Sequence, residues 1–136
     1  MLKHQTEIRT RYSETDQMTY IYNGKYFEYF EVGRAELMRE NNLTYREIEN
    51  MGYYMPVIEC NIKYVSPAFY DELLIIETRM ERLPTSRIHL DHTIFSKERN
   101  VVVAEGFVEL AFLKKETRKL SRPPEFFINV MKKYFE

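Results

Sequence analysis

The chain of 136 residues contains one cysteine, Cys60, and no tryptophan. A single thiol excludes an intrachain disulfide and any cluster held by several thiolates. Histidine is almost as scarce. Of His4, His89 and His92, the last two lie three apart on an expected strand, so they point to opposite faces and cannot chelate one ion. No thiolate cluster and no metal held by that histidine pair is therefore expected. The formal net charge is −1, without the broad basic face that a general nucleic-acid binder needs. No apolar run approaches the roughly 20 residues of a membrane-spanning helix. The start, Met1-Leu2-Lys3-His4-Gln5, also lacks an apolar signal core. A cytoplasmic protein without stable membrane insertion is the expectation.

What is present is ample core material. Apolar residues make up 44% of the chain and aromatics 15%, with 11 Tyr and 9 Phe. That is enough for burial to offset the ordering cost, and the length suits one domain over residues 1–136. Tyrosine fits half-buried surfaces such as pockets and subunit contacts, where the ring packs and the hydroxyl finds a partner.

The hydrophobic period gives the order of elements. Thr6 to Tyr12 reads as a first strand with Ile8 and Tyr12 on one face. From Asn23 to about Glu40 the pattern is helical, with Tyr26, Phe27, Phe30, Gly33, Leu37 and Met38 near one stripe and Asn23 as N-cap. Gly33 inside that helix implies close approach of another backbone. Thr44 and Glu47 form a capping box for a second, short helix, which Gly52 ends in a left-handed conformation. After Pro56 the period becomes two. Strands follow at Val57–Val65, Leu73–Leu83, Arg87–Ser96 and Val101–Leu113, then an amphipathic stretch from Phe126 to Phe135. Short turns between the last three strands imply antiparallel pairing. So few helices cover only one sheet face, and the other must be solvated or meet another subunit.

The segment Arg11-Tyr12-Ser13-Glu14-Thr15-Asp16-Gln17-Met18-Thr19-Tyr20-Ile21-Tyr22-Asn23 carries the candidate chemistry. It sets the carboxylate of Asp16 in a loop just before the amino end of the long helix. Unpaired amides there, from Asn23, Gly24 and Lys25, can polarise a carbonyl and hold an oxyanion. A carboxylate beside it can attack that carbonyl or activate water. An Asp bonded to its own turn is the alternative account of the same residue.

Tyr12 to Met18, then Tyr22, then Tyr26-Phe27-Glu28-Tyr29-Phe30-Glu31-Val32-Gly33-Arg34, resembles the signature of the 4-hydroxybenzoyl-CoA thioesterase family. That family includes the small bacterial acyl-CoA thioesterases associated with the Tol–Pal system. The resemblance implies an α+β hotdog fold, in which a five-stranded antiparallel sheet wraps around one long helix, with active sites at a dimer interface. It implies Asp16 as base or nucleophile, an oxyanion-binding amide near Asn23, and Tyr22, Asn23, Gly24 and Arg87 on the substrate. Two positions depart from the family pattern. Thr19 stands where many members have Gly, although Thr resists positive φ, and Asn23 stands where many have His.

Other residues complete the expectation. Glu28 and Glu31 lie on the helix as a solvated edge, with Glu31 placed to pair with Arg34, or else supply a second carboxylate. Cys60 alternates with Ile58 and Ile62 as a core residue. Lys114, Lys115, Arg118 and Lys119 form a second cationic cluster for phosphates, beside Arg87. Tyr20, Tyr22, Tyr53, Tyr54 and Met55 are candidate pocket residues. The implied function is hydrolysis of an acyl-CoA, without metal or redox cofactor, by a homodimer or homotetramer. Its rivals are a catalytically weak acyl-thioester-binding hotdog protein and a thioesterase acting on acyl carrier protein.

Overall fold

The computed structural model describes residues 1–136. Its larger sheet contains β1 (Leu2–Arg9), β3 (Val57–Tyr64), β4 (Leu73–Met80), β5 (Ile88–Ser96) and β6 (Val101–Leu110), in the spatial order β1-β4-β5-β6-β3. All neighbours in it are antiparallel. A smaller sheet joins β2 (Tyr53–Tyr54), β7 (Phe112–Lys114) and β8 (Leu120–Ser121). The helices are α1 (Lys25–Glu40), α2 (Tyr45–Asn50) and α3 (Glu125–Met131). The antiparallel α+β class matches the expectation. The expected long last strand is split at Ala111 and serves two sheets.

Helix α1 forms because its apolar residues recur at helical spacing. Tyr26, Tyr29, Phe30, Gly33, Leu37 and Met38 are buried on one face, whereas Phe27 is 43% exposed and leaves the expected stripe. The helix ends in a Schellman arrangement. Asn42 takes φ 59° while its amide and that of Leu43 return to the carbonyls of Arg39 and Met38. The helix lies on the inner face of the sheet, against alternating Leu74, Ile76, Thr78 and Met80 of β4 and the inward residues of β5. At Gly33 an added Cβ would stand 2.6 Å from Thr78 Oγ1 and 2.7 Å from an Ile76 methyl. The glycine is there for sheet side chains, not for another backbone.

Several local signals behave as the sequence indicates. Thr44 Oγ1 accepts from the Glu47 amide at 3.2 Å and caps α2, and Gly52 follows with φ 94°. The N-terminus differs. Strand β1 stops at Arg9, and Tyr12–Glu14 is a 3-10 turn with Tyr12 exposed. Thr10 ends the strand by bonding across to the 69–72 loop, its amide reaching Glu72 O at 3.0 Å and its hydroxyl Phe69 O at 2.6 Å.

The outer sheet face is polar and paired: Glu77 meets Lys3 and Arg79, and His89 lies between Glu109 and Asp91. In β6 a register shift opposite Ile94 and Phe95 leaves Val103 as an extra residue. Its carbonyl then accepts from both Val65 and Ser66 and fixes the chain as it leaves β3.

Candidate active site

The loop that carries Asp16 is a tight reversal. The Asp16 carbonyl accepts from the Thr19 amide at 3.1 Å, and the Asp16 amide donates to Tyr20 O at 2.8 Å. This is a turn closed by one left-handed residue, and that residue is Thr19, with φ 67°. A β-branched side chain there costs about 1–2 kcal/mol. Thr19 thus adopts the backbone conformation that glycine would adopt freely. The carboxylate of Asp16 is partly committed to the turn, since the Met18 amide donates to its Oδ1 at 2.8 Å.

Thr15 bridges Ile21 across the loop's own two arms, and Tyr20 bridges Phe69 in the segment after β3, which ties the loop to the body. The Ile21 amide donates to Ala68 O at 2.9 Å, and the Tyr22 amide to Glu14 O at 2.8 Å. The Glu14 carboxylate is buried beneath, accepting from the Arg11 amide at 2.7 Å and from the Tyr29 hydroxyl at 2.9 Å. Burial first, and this bond second, raise the Tyr29 phenol well above its ordinary value.

Between the loop, the start of α1 and the end of β3 lies a cleft of about 820 Å³. Asp16, Tyr22 and Asn23 all line it, together with Tyr20, Tyr26 and Tyr64. Tyr64 Oη donates to Asn23 O at 3.0 Å and its ring meets Tyr26 edge-on at 5.4 Å. Tyr26 is buried, which raises its phenol and keeps it protonated. The rim is apolar and open: Met18 and Tyr22 are both more than half exposed.

The helix start differs in detail from the sequence reading. Gly24, with helical φ −66°, takes the N-cap position, and no side chain caps the helix. The Lys25 amide is used, donating to Tyr22 O at 2.9 Å, and Tyr26 reaches Asn23 O at 3.4 Å. The amides of Asn23 and Gly24 donate to no acceptor within the chain.

The remaining expected residues lie elsewhere. Arg87 borders a separate polar cleft with Thr85, Ser86, His89 and Glu109, and pairs with Glu109 at 3.4 Å. Tyr53 packs on Phe112 and Phe126, and Tyr54 lies under Lys115 and Arg118, so neither joins the Asp16 cleft. Met55 packs against the core. Glu28 and Glu31 pair with Lys25 and Arg34 on the helix surface. Cys60 is half-buried and burial raises its thiol. His92 is fully buried, with Nδ1 3.0 Å from Thr78 Oγ1, its ring stacked on Phe30, and Nε2 unpartnered. Reading the sequence missed Tyr26, Tyr64 and Pro67 in the cleft wall. Tyr64 and Pro67 are brought there by strand order, which no local pattern encodes.

The open, tyrosine-rich cleft thus brings together three of the expected residues, Asp16, Tyr22 and Asn23, whereas Gly24 and Arg87 do not line it. Residues 10–131 match the thioesterase-like superfamily, and the chain belongs to it. It is 39% identical over 75 residues to YneP of Bacillus subtilis (strain 168), a match that covers 55% of this chain and 54% of that protein. It is 25% identical over 115 residues to the long-chain acyl-CoA thioesterase FadM of Escherichia coli (strain K12), covering 85% and 86% of the two chains. Among solved structures, the DHNA-CoA thioesterase of Staphylococcus aureus superposes with a TM-score of 0.90 at 32% identity, over 99% of this chain and 90% of that one.

Proposed function

We propose that the protein hydrolyses an acyl-CoA thioester to the free acid and coenzyme A, with the Asp16 cleft as the reaction site. The observation that carries this reading is the presence of Asp16 and Asn23 in one cleft, with the amides of Asn23 and of the adjoining Gly24, which is not itself a lining residue, free of any acceptor in the chain. The thioester carbonyl is polarised by those amides, which hold the negative charge as it develops on oxygen. As base, Asp16 takes a proton from water, and the hydroxide adds to the carbonyl carbon. The C–S bond then breaks, and the thiolate receives the proton from Asp16. As nucleophile, the same carboxylate displaces the thiolate, and water cleaves the acyl–Asp16 anhydride. Both routes consume one water and release one thiol.

The left-handed Thr19 supports an active loop over an inactive binder, because the turn keeps its hydrogen bonds despite the side chain. The likeness to the long-chain acyl-CoA thioesterase FadM and to the DHNA-CoA thioesterase of Staphylococcus aureus supports the substrate class. A homodimer or homotetramer in the cytoplasm is part of the proposal. Strand β3 is a sheet edge with Val57 and Ile58 exposed, and a second copy pairing there would cover it. Arg87 then serves as a phosphate contact within the assembly, not within one chain.

The experiment is thiol release from a panel of aryl, medium-chain and long-chain acyl-CoAs, with acyl carrier protein thioesters alongside. Turnover of an acyl-CoA is expected. Turnover confined to carrier-protein thioesters replaces the carrier, and calorimetric binding without thiol release replaces the enzyme with a binder.

A further inference from the structure

A buried carboxylate, paired with an arginine whose side chain reaches the surface, stands behind the cleft wall. Glu72, 5% exposed, accepts from the Phe69 amide at 3.1 Å, from Ser96 Oγ at 2.7 Å and from Arg99 Nη2 at 2.9 Å, with Arg99 Nε as a fourth donor. Arg99 also donates from Nη2 to Pro67 O at 2.8 Å, and its guanidinium lies 5.0 Å above the Phe69 ring. The segment clamped in this way, Pro67 to Phe69, has no partner in the large sheet. It is the segment that receives the Ile21 amide at Ala68 and bridges Tyr20 at Phe69. Thus the backbone struts between the Asp16 loop and residues 67–69 end between the Pro67 carbonyl and the Phe69 amide, the two groups that Arg99 and Glu72 hold. The Tyr20 and Phe69 rings meet edge-on beside them. Burial alone would raise the Glu72 carboxyl, but the bonds from Arg99, Ser96 and the Phe69 amide outweigh it and keep the group ionised.

We infer that Glu72 and Arg99 are positioning residues for the reaction: the pair fixes segment 67–69, and that segment sets the placement of Asp16 against the carbonyl. This rests on the reading of Asp16 as the reacting carboxylate. A planar fork is needed, because one guanidinium must satisfy both carboxylate oxygens and the Pro67 carbonyl. A lysine supplies charge without that geometry. Misplacing a reacting group by about 1 Å can cost on the order of 100-fold in rate.

The test compares Arg99→Lys, Arg99→Met and the charge-free pair Glu72→Gln/Arg99→Met, each checked for native assembly. The double variant and Arg99→Lys avoid a buried carboxylate without a counter-ion, so a folded protein is available if Arg99→Met fails to fold. Two quantities are read: kcat and KM on the best thioester, and hydrogen exchange of the Ile21 amide. The expected result in the folded variants is a kcat lower by about 10- to 100-fold with KM within about twofold, together with faster Ile21 exchange. Arg99→Lys should fall between wild type and Arg99→Met. A kcat within twofold of wild type, or a change in KM alone, overturns the inference. If wild type releases no thiol from any thioester, the proposed function fails and exchange still decides the mechanical claim: unchanged Ile21 protection overturns it.

Discussion

The Met18 amide donates to Asp16 Oδ1 at 2.8 Å, so the carboxylate that lines the cleft is held by the loop that carries it. One oxygen is fixed in place, which lets a carboxylate on a loop keep a defined direction. The turn that aims this amide is closed by Thr19 in a left-handed conformation, and that residue offers the first test.

Thr19→Gly should stabilise the protein. Relief of the left-handed β-branched residue gains about 1–2 kcal/mol, and the added freedom of glycine in the unfolded chain returns about 0.5–1 of it. A rise of Tm by a few degrees in a thermal melt is expected, with turnover near wild type. A lower Tm would show that the Thr19 side chain makes a contact worth more than the strain.

At the helix start, backbone and side chain separate cleanly. Asn23 makes no capping bond, so Asn23→Ala should shift stability by no more than about 0.5 kcal/mol. Gly24 already has φ −66° and an unused amide, so proline suits its backbone. Its Cβ would stand 2.9 Å from the Tyr22 ring, which is more than half exposed and must turn aside, so Gly24→Ala, with the same Cβ and an intact amide, is the control. Removing that donor should lower turnover by roughly 100-fold, the scale of one oxyanion contact. Equal turnover in folded Gly24→Pro would remove Gly24 from the site.

Acid should weaken the fold through His92. Burial, with Arg34 and Arg79 nearby, lowers its pKa from 6.5 to about 3. The unfolded chain therefore takes up a proton below 6.5 that the folded chain refuses until about 3, and stability falls as pH drops through that window. The slope is up to about 1.4 kcal/mol per pH unit. Glu72, with its lowered pKa, adds a loss only at lower pH, as the medium approaches ordinary carboxylate values. His89 acts oppositely. Burial lowers its pKa, but Glu109 and Asp91 outweigh this and raise it, so its contribution is present in acid and lost as pH rises. Denaturant midpoints between pH 7 and pH 5 should fall in wild type and stay flatter in His92→Gln. A parallel fall in both would assign the slope to other groups.

The exposed β3 edge makes assembly measurable. Light scattering at micromolar concentration should give a dimer or larger species. Ile58→Lys, which adds charge to an exposed edge position, should shift the equilibrium toward monomer by tenfold or more. An unchanged mass would place the interface elsewhere.

Much of this was legible in the sequence where the cause is local. The Thr44 cap on the Glu47 amide, the Gly52 stop and the starts of the period-two strands depend on neighbours within a few residues and stand where the pattern puts them. The Glu47 carboxylate, however, meets the Thr44 hydroxyl and not its amide, and β4 ends at Met80 instead of Leu83. The alternation of Tyr12 with Ile8 mimics a strand over Thr6 to Tyr12, but β1 runs from Leu2 to Arg9 because Thr10 bonds across to Phe69 and Glu72 and turns the chain. Asp16, Tyr22 and Asn23 are close in sequence and share the cleft. Arg87 does not join them in one chain, and no spacing rule could show that. The Glu72–Arg99 clamp was invisible for the same reason: its partners are 27 residues apart and meet only through sheet topology.

The central claim is that the Asp16 carboxylate performs the hydrolysis. Asp16→Asn is the most direct probe, since the amide oxygen can still accept from the Met18 amide and keep the turn. Thiol release from the best acyl-CoA should fall by at least about 100-fold, with the melting curve and assembly unchanged. Turnover near wild type in a folded Asp16→Asn protein would contradict the account.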